Sequence, residues 1–127
     1  MIQSNQVIKV LVIDDSPTQL DICKSILTQF NYKIKLAQSG EKGIERLKKN
    51  NIDVVILDMI MPGGINGYET YVELKRIKPD IKVILASGHA KDELVEKSLE
   101  LGVTAYIKKP YRVDEICKVI RNILKER

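Results

Sequence analysis

The stretch VVILDMIMPGGING, residues 54–67, decides the fold because it joins a fully apolar strand to a sharp break in the chain. The run from Val54 to Leu57 has no polar side chain, as is typical of a strand covered on both faces of a sheet. Asp58 follows directly, and Pro62 and two glycines then end the extended segment. A buried strand has no structural need for a carboxylate at its end, so Asp58 is a candidate functional residue.

Four similar segments flank this strand in the sequence, and helical patterns lie between them. The five predicted strands cover residues 7–14, 33–38, 53–58, 82–87 and 105–109. Strict alternation of strands and helices predicts a parallel sheet with helices on both faces. The second strand alternates Lys33 and Lys35 with apolar residues, and the fifth also carries lysines, which suits edge strands. The predicted fold is therefore an α/β, doubly wound, five-stranded parallel sheet in the order 2-1-3-4-5, the flavodoxin-like arrangement.

Apolar stripes at helical spacing mark the segments between the strands and after the last one. Ser16 and Pro17 are a start signal for the first helix. The stripes are Leu20, Cys23, Leu27 and Phe30; Ile44 and Leu47; Tyr71 and Leu74; Leu94, Val95, Ser98 and Leu99; and Val113, Ile116, Cys117, Ile120, Ile123 and Leu124. Because both cysteines lie on apolar faces, we expect them to be small core residues and not a disulfide.

The composition is that of an ordinary globular protein, with 44% hydrophobic and 30% charged residues among 127, so we expect one domain over residues 1–127. The longest apolar runs, VLVI and VVIL, are far too short to span a membrane. The segment IQSNQ after Met1 lacks the features of a signal peptide, which predicts a cytoplasmic protein without membrane contact. The net charge of +4 is spread over the chain without a basic block, so no direct nucleic-acid partner is predicted.

Polar residues gather where the strands end. In a doubly wound sheet the ligand crevice lies beyond the carboxyl ends of the strands, here at the switch point between strands 1 and 3. The residues at these ends are Asp14, Asp15, Asp58, Ser87 and Lys109. Two carboxylates about 4 Å apart repel by roughly 4 kcal/mol at an effective dielectric of about 20, so three of them need a cation. Oxygen ligands favour Mg²⁺, which usually shares its shell with phosphate.

Phosphate and Mg²⁺ suggest a role for each of these side chains. An aspartate carboxylate can attack phosphorus to give an aspartyl phosphate, and Asp58 stands alone on the central strand. Asp14 and Asp15 are then placed to hold the metal. Ser87 and Lys109 are placed to meet phosphoryl oxygens, and Gly88 leaves space for the group to approach the backbone. The sequence has neither GxxxxGK[ST] nor GxGxxG, which excludes nucleotide binding by those loops.

At these residues the sequence resembles the receiver domain of two-component response regulators. The resemblance runs through VLVIDDSPTQL, VVILDMIMPGGINGYET, VILASGHA and AYIKKPY, which together span essentially the whole chain. It implies that Asp58 accepts a phosphoryl group from a phosphohistidine on a sensor histidine kinase or histidine phosphotransfer protein. It also implies that Asp15, Asp58 and the backbone carbonyl of Ile60 bind Mg²⁺ directly, with Asp14 acting largely through water. Mn²⁺ could substitute for Mg²⁺.

The resemblance further implies how phosphorylation is read out. Ser87 would move inward and Tyr106 would turn, which changes the face formed by the fourth predicted helix, strand 5 and the last helix. A downstream partner would bind this face. Lys109 and Pro110 would be joined by a cis peptide. Such a domain is a phosphoacceptor switch that catalyses only its own phosphorylation and slow autodephosphorylation, with Asp58, Ser87 and Lys109 as the catalytic residues.

Two features depart from the family pattern. Gly67 follows Asp58 by nine residues, one more than the usual spacing, which puts the geometry of this loop in question. His89 lies two residues beyond Ser87, where it is either a solvated loop residue or an influence on hydrolysis of the aspartyl phosphate.

One alternative function is that of a magnesium-dependent phosphohydrolase. Such an enzyme usually carries a second acid two residues after its nucleophile, whereas Ile60 stands at that position here. A receiver-like scaffold that is not phosphorylated is the other alternative, and the sequence leaves open whether the chain is a complete regulator or part of a longer protein.

Overall fold

A computed structural model describes residues 7–88, 96–97, 100, 102–109 and 112–125. The strands are β1 (Lys9–Ile13), β2 (Lys33–Ala37), β3 (Val54–Asp58), β4 (Lys82–Ser87) and β5 (Ala105–Lys108). The helices with described bounds are α1 (Pro17–Thr28), α2 (Gly40–Lys49), α3 (Gly67–Ile77) and the C-terminal α4 (Val113–Lys125). The fourth predicted stripe, at Leu94, Val95, Ser98 and Leu99, lies outside the described residues. Within the described ranges, no helix has both the length and the apolar character needed to cross a bilayer.

The five strands form one parallel sheet in the order β2-β1-β3-β4-β5, which confirms the predicted fold. In the register, Val12 pairs with Ile56 across β1 and β3, and Asp58 pairs with Ala86 across β3 and β4. Strand β1 is shorter than predicted and ends at Ile13. The N–H of Asp14 still donates to the carbonyl of Ala37 at 3.1 Å, which keeps Asp14 in line with the strand.

The core lies on both faces of the sheet, because neighbouring residues of a strand point to opposite sides. One apolar cluster fills the space toward α2 and α3, and the other fills the space toward α1 and α4. Strand β3 is buried along its whole length, as its continuous apolar sequence predicts. Strand β2 alternates instead, with Lys33 and Lys35 exposed at the edge of the sheet. Arg46 from α2 donates to the carbonyl of Leu36 at 3.1 Å and covers part of this edge.

The first helix confirms most of its predicted stripe and corrects one residue. Ser16 is the N-cap, its side chain accepts the N–H of Gln19, and Pro17 opens the helix. Leu20, Cys23 and Leu27 are buried, but the prediction for Phe30 is wrong, since its side chain is 46% exposed. The helix ends at Thr28, so Phe30 is no longer in helical register with the stripe. Cys23 and Cys117 are both buried and not joined in a disulfide, as predicted for core residues.

Helix α3 begins directly against the end of β3, and Gly67 makes this approach possible. Asn66 caps the helix together with Glu69, since each side chain accepts the other residue's backbone N–H. The N–H of Gly67 donates to the carbonyl of Met59 at 3.2 Å. A Cβ on Gly67 would lie 2.5 Å from the Cα of Met59 and 2.9 Å from the carbonyl oxygen of Asp58. No side chain fits between the helix and the residues that carry the candidate site.

Replacing Gly67 by alanine is expected to lower the free energy of unfolding by about 2 kcal/mol, because a Cβ would overlap backbone atoms that cannot rotate away. Alanine gains about 1 kcal/mol in helix propensity, which is too little to offset that overlap. Urea unfolding of Gly67→Ala and the wild type measures the difference. Gly88→Ala is the matched control, since no described atom lies within 4 Å of its Cβ position. A Gly67→Ala variant as stable as the wild type would contradict the close approach.

Candidate functional site

Three carboxylates meet at the carboxyl edge of the sheet, where β1 and β3 lie side by side. One carboxylate oxygen from each of Asp14, Asp15 and Asp58 lies within 4.8 Å of the others. Asp14 and Asp58 are buried, with 2% and 4% of their surface exposed, and Asp15 is partly exposed. The structure therefore brings together the three acids that the strand ends predicted.

Lys109 places a single positive charge between the two buried acids. Its Nζ lies 3.2 Å from Oδ2 of Asp14 and 3.3 Å from Oδ2 of Asp58. The backbone N–H of Lys109 donates to the carbonyl of Ser87 at 2.7 Å, which fixes the lysine at the end of β4. Three carboxylates and one ammonium leave this cluster with an excess of negative charge.

Backbone hydrogen bonds orient both buried carboxylates. The N–H of Ser16 donates to Oδ1 of Asp14 at 2.9 Å, and the N–H of Ile60 donates to Oδ1 of Asp58 at 3.2 Å. Each aspartate thus turns Oδ1 toward the loop that follows its strand and Oδ2 toward Lys109. Two backbone N–H groups and one lysine thus set the direction in which these acids present their oxygens.

The surroundings of Asp58 disfavour its charged form. Burial, and then the neighbouring carboxylate of Asp14, raise the pKa of Asp58 from its ordinary value of 3.8 to about 6. Lys109 and the N–H of Ile60 oppose this rise in the pKa of Asp58 but do not cancel it. Burial by itself would lower the pKa of Lys109, yet the carboxylates of Asp58 and Asp14 outweigh it, and the pKa is raised. A second cation would relieve the remaining repulsion.

The donor set of the cluster fits a hard divalent cation. All three groups offer carboxylate oxygens, and the group contains neither histidine nor cysteine. Such oxygen donors suit Mg²⁺ or Mn²⁺ and disfavour zinc or copper. Ile60 follows Asp58 by two residues and folds its N–H back onto that carboxylate, while its side chain is 46% exposed. The role of its carbonyl as a metal ligand stays a prediction.

Ser87, Gly88 and Tyr106 lie beside the cluster, at the ends of β4 and β5. Ser87 is fully buried and lies one residue beyond Ala86, the register partner of Asp58. The hydroxyl of Tyr106 donates to the carbonyl of Ser87 at 3.4 Å, which joins the two predicted switch residues. Gly88 is exposed, and the described part of the chain places no atom within 4 Å of its Cβ position. The role of Gly88 in receiving a phosphoryl group stays a prediction.

A comparison of the sequence with protein families identifies the family of the chain. The sequence model of the family described as Response regulator receiver domain matches residues 10–121. The chain belongs to the response regulator receiver domain family. Receiver domains of response regulators are phosphoacceptor modules of two-component signalling systems and interact with histidine kinases.

Individual relatives and solved structures support this family assignment. The chain is 35% identical over 114 residues to response regulator SaeR of Staphylococcus aureus (strain USA300), a match that covers 90% of the chain and 49% of that protein. The chain thus spans about half the length of the curated relatives it matches. A CheY-like receiver domain protein from Methanospirillum hungatei JF-1 has a similar structure, with a TM-score of 0.90 at 26% identity and coverage of 95% and 96% of the two chains. A receiver domain protein from Clostridium thermocellum gives 0.87 at 31% identity, with 94% and 96% covered.

Two features predicted from the sequence of this receiver domain, His89 and the cis peptide before Pro110, lie outside the described residues. The sequence reasoning missed the start of α3, although Asn66 with Glu69 three residues later is a recognised capping signature. It also missed a contact between Glu41 and the N–H of Ile65, for which a separation of 24 residues gives no signal in the sequence.

Proposed function

We propose that this receiver domain is phosphorylated at Asp58 by a phosphohistidine of a sensor histidine kinase or histidine phosphotransfer protein. The observation that carries the proposal is the buried Asp58 carboxylate, clustered with Asp14 and Asp15 and bridged to Asp14 by Lys109. An oxygen of Asp58 forms the bond to phosphorus as the phosphorus–nitrogen bond breaks, and the departing imidazole keeps the electron pair and takes up a proton. Incubation with a small phosphodonor and Mg²⁺, followed by intact mass measurement, tests it.

The other charged residues of the site would position the phosphoryl group and the metal. We assign Asp15, Asp58 and the carbonyl of Ile60 as direct ligands of Mg²⁺, with Asp14 acting through water. Neutralisation of phosphoryl oxygen charge is the chemistry that Mg²⁺ supplies when bound. Lys109 Nζ already lies within 3.3 Å of Asp58, so it can contact the phosphoryl group without a large movement. The Ser87 hydroxyl and the space at Gly88 would receive the remaining oxygens.

The Asp15→Asn variant is expected to bind Mg²⁺ at least about tenfold more weakly than the wild type, a loss of roughly 1.4 kcal/mol. Both oxygens of Asp14 already accept contacts, from Ser16 and Lys109, whereas the carboxylate of Asp15 is partly exposed and faces the cluster. Isothermal titration with Mg²⁺ measures the dissociation constant. Asp21→Asn, an exposed acid on α1, controls for the change of net charge. Equal affinities for Asp15→Asn and the wild type would remove Asp15 from the ligand set.

The same proposal assigns Ser87 and Tyr106 to the switch. Tyr106 is half-buried and is tied by its hydroxyl to the carbonyl of Ser87, so movement of Ser87 toward a phosphoryl group would change what holds the ring. The ring packs against the apolar cluster on the α2 and α3 side of the sheet. A downstream partner would bind the face formed by the segment between β4 and β5, strand β5 and helix α4. Ligand affinity that differs between the two positions of Tyr106 would drive the change.

We also propose that the chain is a switch and not an enzyme with multiple turnover. It would catalyse its own phosphorylation and slow autodephosphorylation, in the cytoplasm and without direct contact to membrane or nucleic acid. The rival phosphohydrolase needs an acid two residues after the nucleophile, and the side chain there is the apolar Ile60. Steady release of phosphate from a phosphomonoester would favour the phosphohydrolase instead.

A further inference from the structure

The loop between β3 and α3, residues 59–66, carries the backbone that contacts Asp58. Its base is fixed, since Met59 and Met61 are 1% and 5% exposed and the N–H of Gly67 donates to the carbonyl of Met59 at 3.2 Å. Between the two methionines, the N–H of Ile60 donates to Oδ1 of Asp58. The position of this loop therefore sets the orientation of the Asp58 carboxylate.

The far end of the same loop has little restraint of its own. Pro62, Gly63 and Gly64 are all exposed, and the two glycines have φ values of 83° and 155°. Consecutive glycines are open to more backbone conformations than any other pair of residues. The one residue that this chain has beyond the usual spacing between Asp58 and Gly67 lies in this loop, so the structure needs another contact to hold it.

Glu41, the second residue of α2, supplies that contact. Its Oε2 accepts the N–H of Ile65 at 3.1 Å. A Cβ on Gly64 would lie 3.1 Å from each carboxylate oxygen of Glu41, so the carboxylate packs directly against the loop. The backbone N–H groups of Glu41 itself and of Ile65 lower the pKa of Glu41, as expected for hydrogen bonds to the charged carboxylate.

We propose that Glu41 is a positioning residue, whose carboxylate holds the loop at residues 59–66 in the conformation that lets Asp58 and Ile60 bind Mg²⁺. This inference rests on the proposed function, because it concerns the metal and phosphoryl chemistry of the same site. Without the contact to Ile65, the glycine pair would sample other conformations, and only a fraction of molecules would have the loop in place. The apparent affinity for Mg²⁺ falls in proportion to that fraction.

The test compares three variants with the wild type by titration with Mg²⁺, by the rate of phosphorylation with acetyl phosphate, and by urea unfolding. Glu41→Ala is expected to weaken Mg²⁺ binding and to slow phosphorylation at low Mg²⁺ by about threefold each, as suits the loss of one exposed, charge-assisted hydrogen bond. Glu41→Gln keeps an acceptor oxygen and is expected to recover most of both losses. Glu45 lies one turn later on α2 and pairs with Lys49, so Glu45→Ala is expected to match the wild type in Mg²⁺ binding and phosphorylation. Glu41→Ala is expected to lower the free energy of unfolding slightly more than Glu45→Ala, because only Glu41→Ala loses a contact to the loop.

Gly64→Ala perturbs the same contact from the side of the loop. Its Cβ would lie 3.1 Å from each carboxylate oxygen of Glu41, and alanine disfavours the φ of 155° that Gly64 adopts, so this variant is expected to weaken Mg²⁺ binding by itself. A Gly64→Ala variant that binds Mg²⁺ as tightly as the wild type, or a Glu45→Ala variant as impaired as Glu41→Ala, overturns the inference.

The outcomes also separate this inference from the proposed function. If the wild type binds Mg²⁺ and becomes phosphorylated while Glu41→Ala behaves identically, the positioning role alone is wrong. If the wild type binds Mg²⁺ but takes up no phosphoryl group, the proposed function is wrong, and the Mg²⁺ titrations still decide the role of Glu41. A wild-type chain that binds no Mg²⁺ overturns both.

Discussion

Incubation with acetyl phosphate and Mg²⁺ is expected to add the mass of one phosphoryl group to the wild-type chain and to leave the Asp58→Asn variant unchanged. Asp58 is the acid that ends the central strand, and its carboxylate lies against both Lys109 and the N–H of Ile60. An amide at this position cannot attack phosphorus, so the expected loss is complete. Intact mass measured over a time course gives the fraction phosphorylated.

Asp80→Asn is the matched control for this experiment. Asp80 is an exposed acid just before β4, at the amino ends of the strands, whereas Asp58 lies at their carboxyl ends. Asp80→Asn is expected to take up the phosphoryl group at the wild-type rate. An adduct that persists in Asp58→Asn would place the acceptor at another residue. No adduct on the wild type in the presence of Mg²⁺ would favour the scaffold that is not phosphorylated. Omission of Mg²⁺ should greatly slow the wild-type reaction, since charge on the phosphoryl oxygens would then be balanced mainly by Lys109.

The second large effect concerns stability, since Asp58→Asn is expected to stabilise the metal-free chain at pH 7.5 by roughly 1 to 3 kcal/mol. The folded protein raises the pKa of Asp58 from 3.8 to about 6, chiefly by burial and by the Asp14 carboxylate. The folded state therefore binds more protons than the unfolded state between these two values. For this group, stability is greatest below about pH 4 and is lost as the pH rises through about 6. Above that pH the wild type carries an unfavourable buried charge, which the neutral amide removes.

The ion pair between Lys109 and Asp58 limits the size of this stabilisation. A rise of roughly two pKa units corresponds to about 3 kcal/mol, and part of the gain is lost because Lys109 then keeps one carboxylate, Asp14, instead of two. Urea unfolding with a chelator present, at pH 5 and pH 7.5, measures the effect in both proteins. The wild type should lose stability between the two pH values by more than the variant does.

Addition of Mg²⁺ is expected to change the order of stability. A ligand that binds only the folded state stabilises by mass action, so saturating Mg²⁺ should stabilise the wild type and leave Asp58→Asn nearly unchanged. A metal-free Asp58→Asn variant that is less stable than the wild type at pH 7.5 would show that the Lys109–Asp58 pair outweighs the repulsion between the acids.

Much of this architecture could be predicted, because the apolar pattern of each strand indicates its position in a parallel sheet. The apolar continuity of β3 and the alternation in β2 distinguish central from edge strands, and the strand order follows from them. Once β1 and β3 are neighbours, Asp14 and Asp58 must end at the same edge, so the acid cluster follows from the fold. The role of each residue in phosphoryl chemistry stays a prediction.

Other features depend on contacts that no local pattern records. Phe30 continues the spacing of the α1 stripe, but where a helix ends depends on the turn that follows, and here Asn31 adopts a φ of 68°. The contact between Glu41 and Ile65 exists only because α2 and α3 begin side by side above the sheet. The shared position of Lys109 between two acids likewise depends on side-chain directions that strand order alone does not give.

The exposed edge strand β2 bears on whether molecules of this protein associate with one another. Lys33 and Lys35 project from β2, which is the end strand of the sheet in the described part of the chain, and Arg46 donates to the carbonyl of Leu36. Charges on such an edge oppose its pairing with a strand of another molecule. Acetylation of these lysines, or their replacement by threonine or valine, would turn the edge into a template on which further chains could add. The charges of Lys33 and Lys35 are therefore expected to oppose self-association of the chain through this edge.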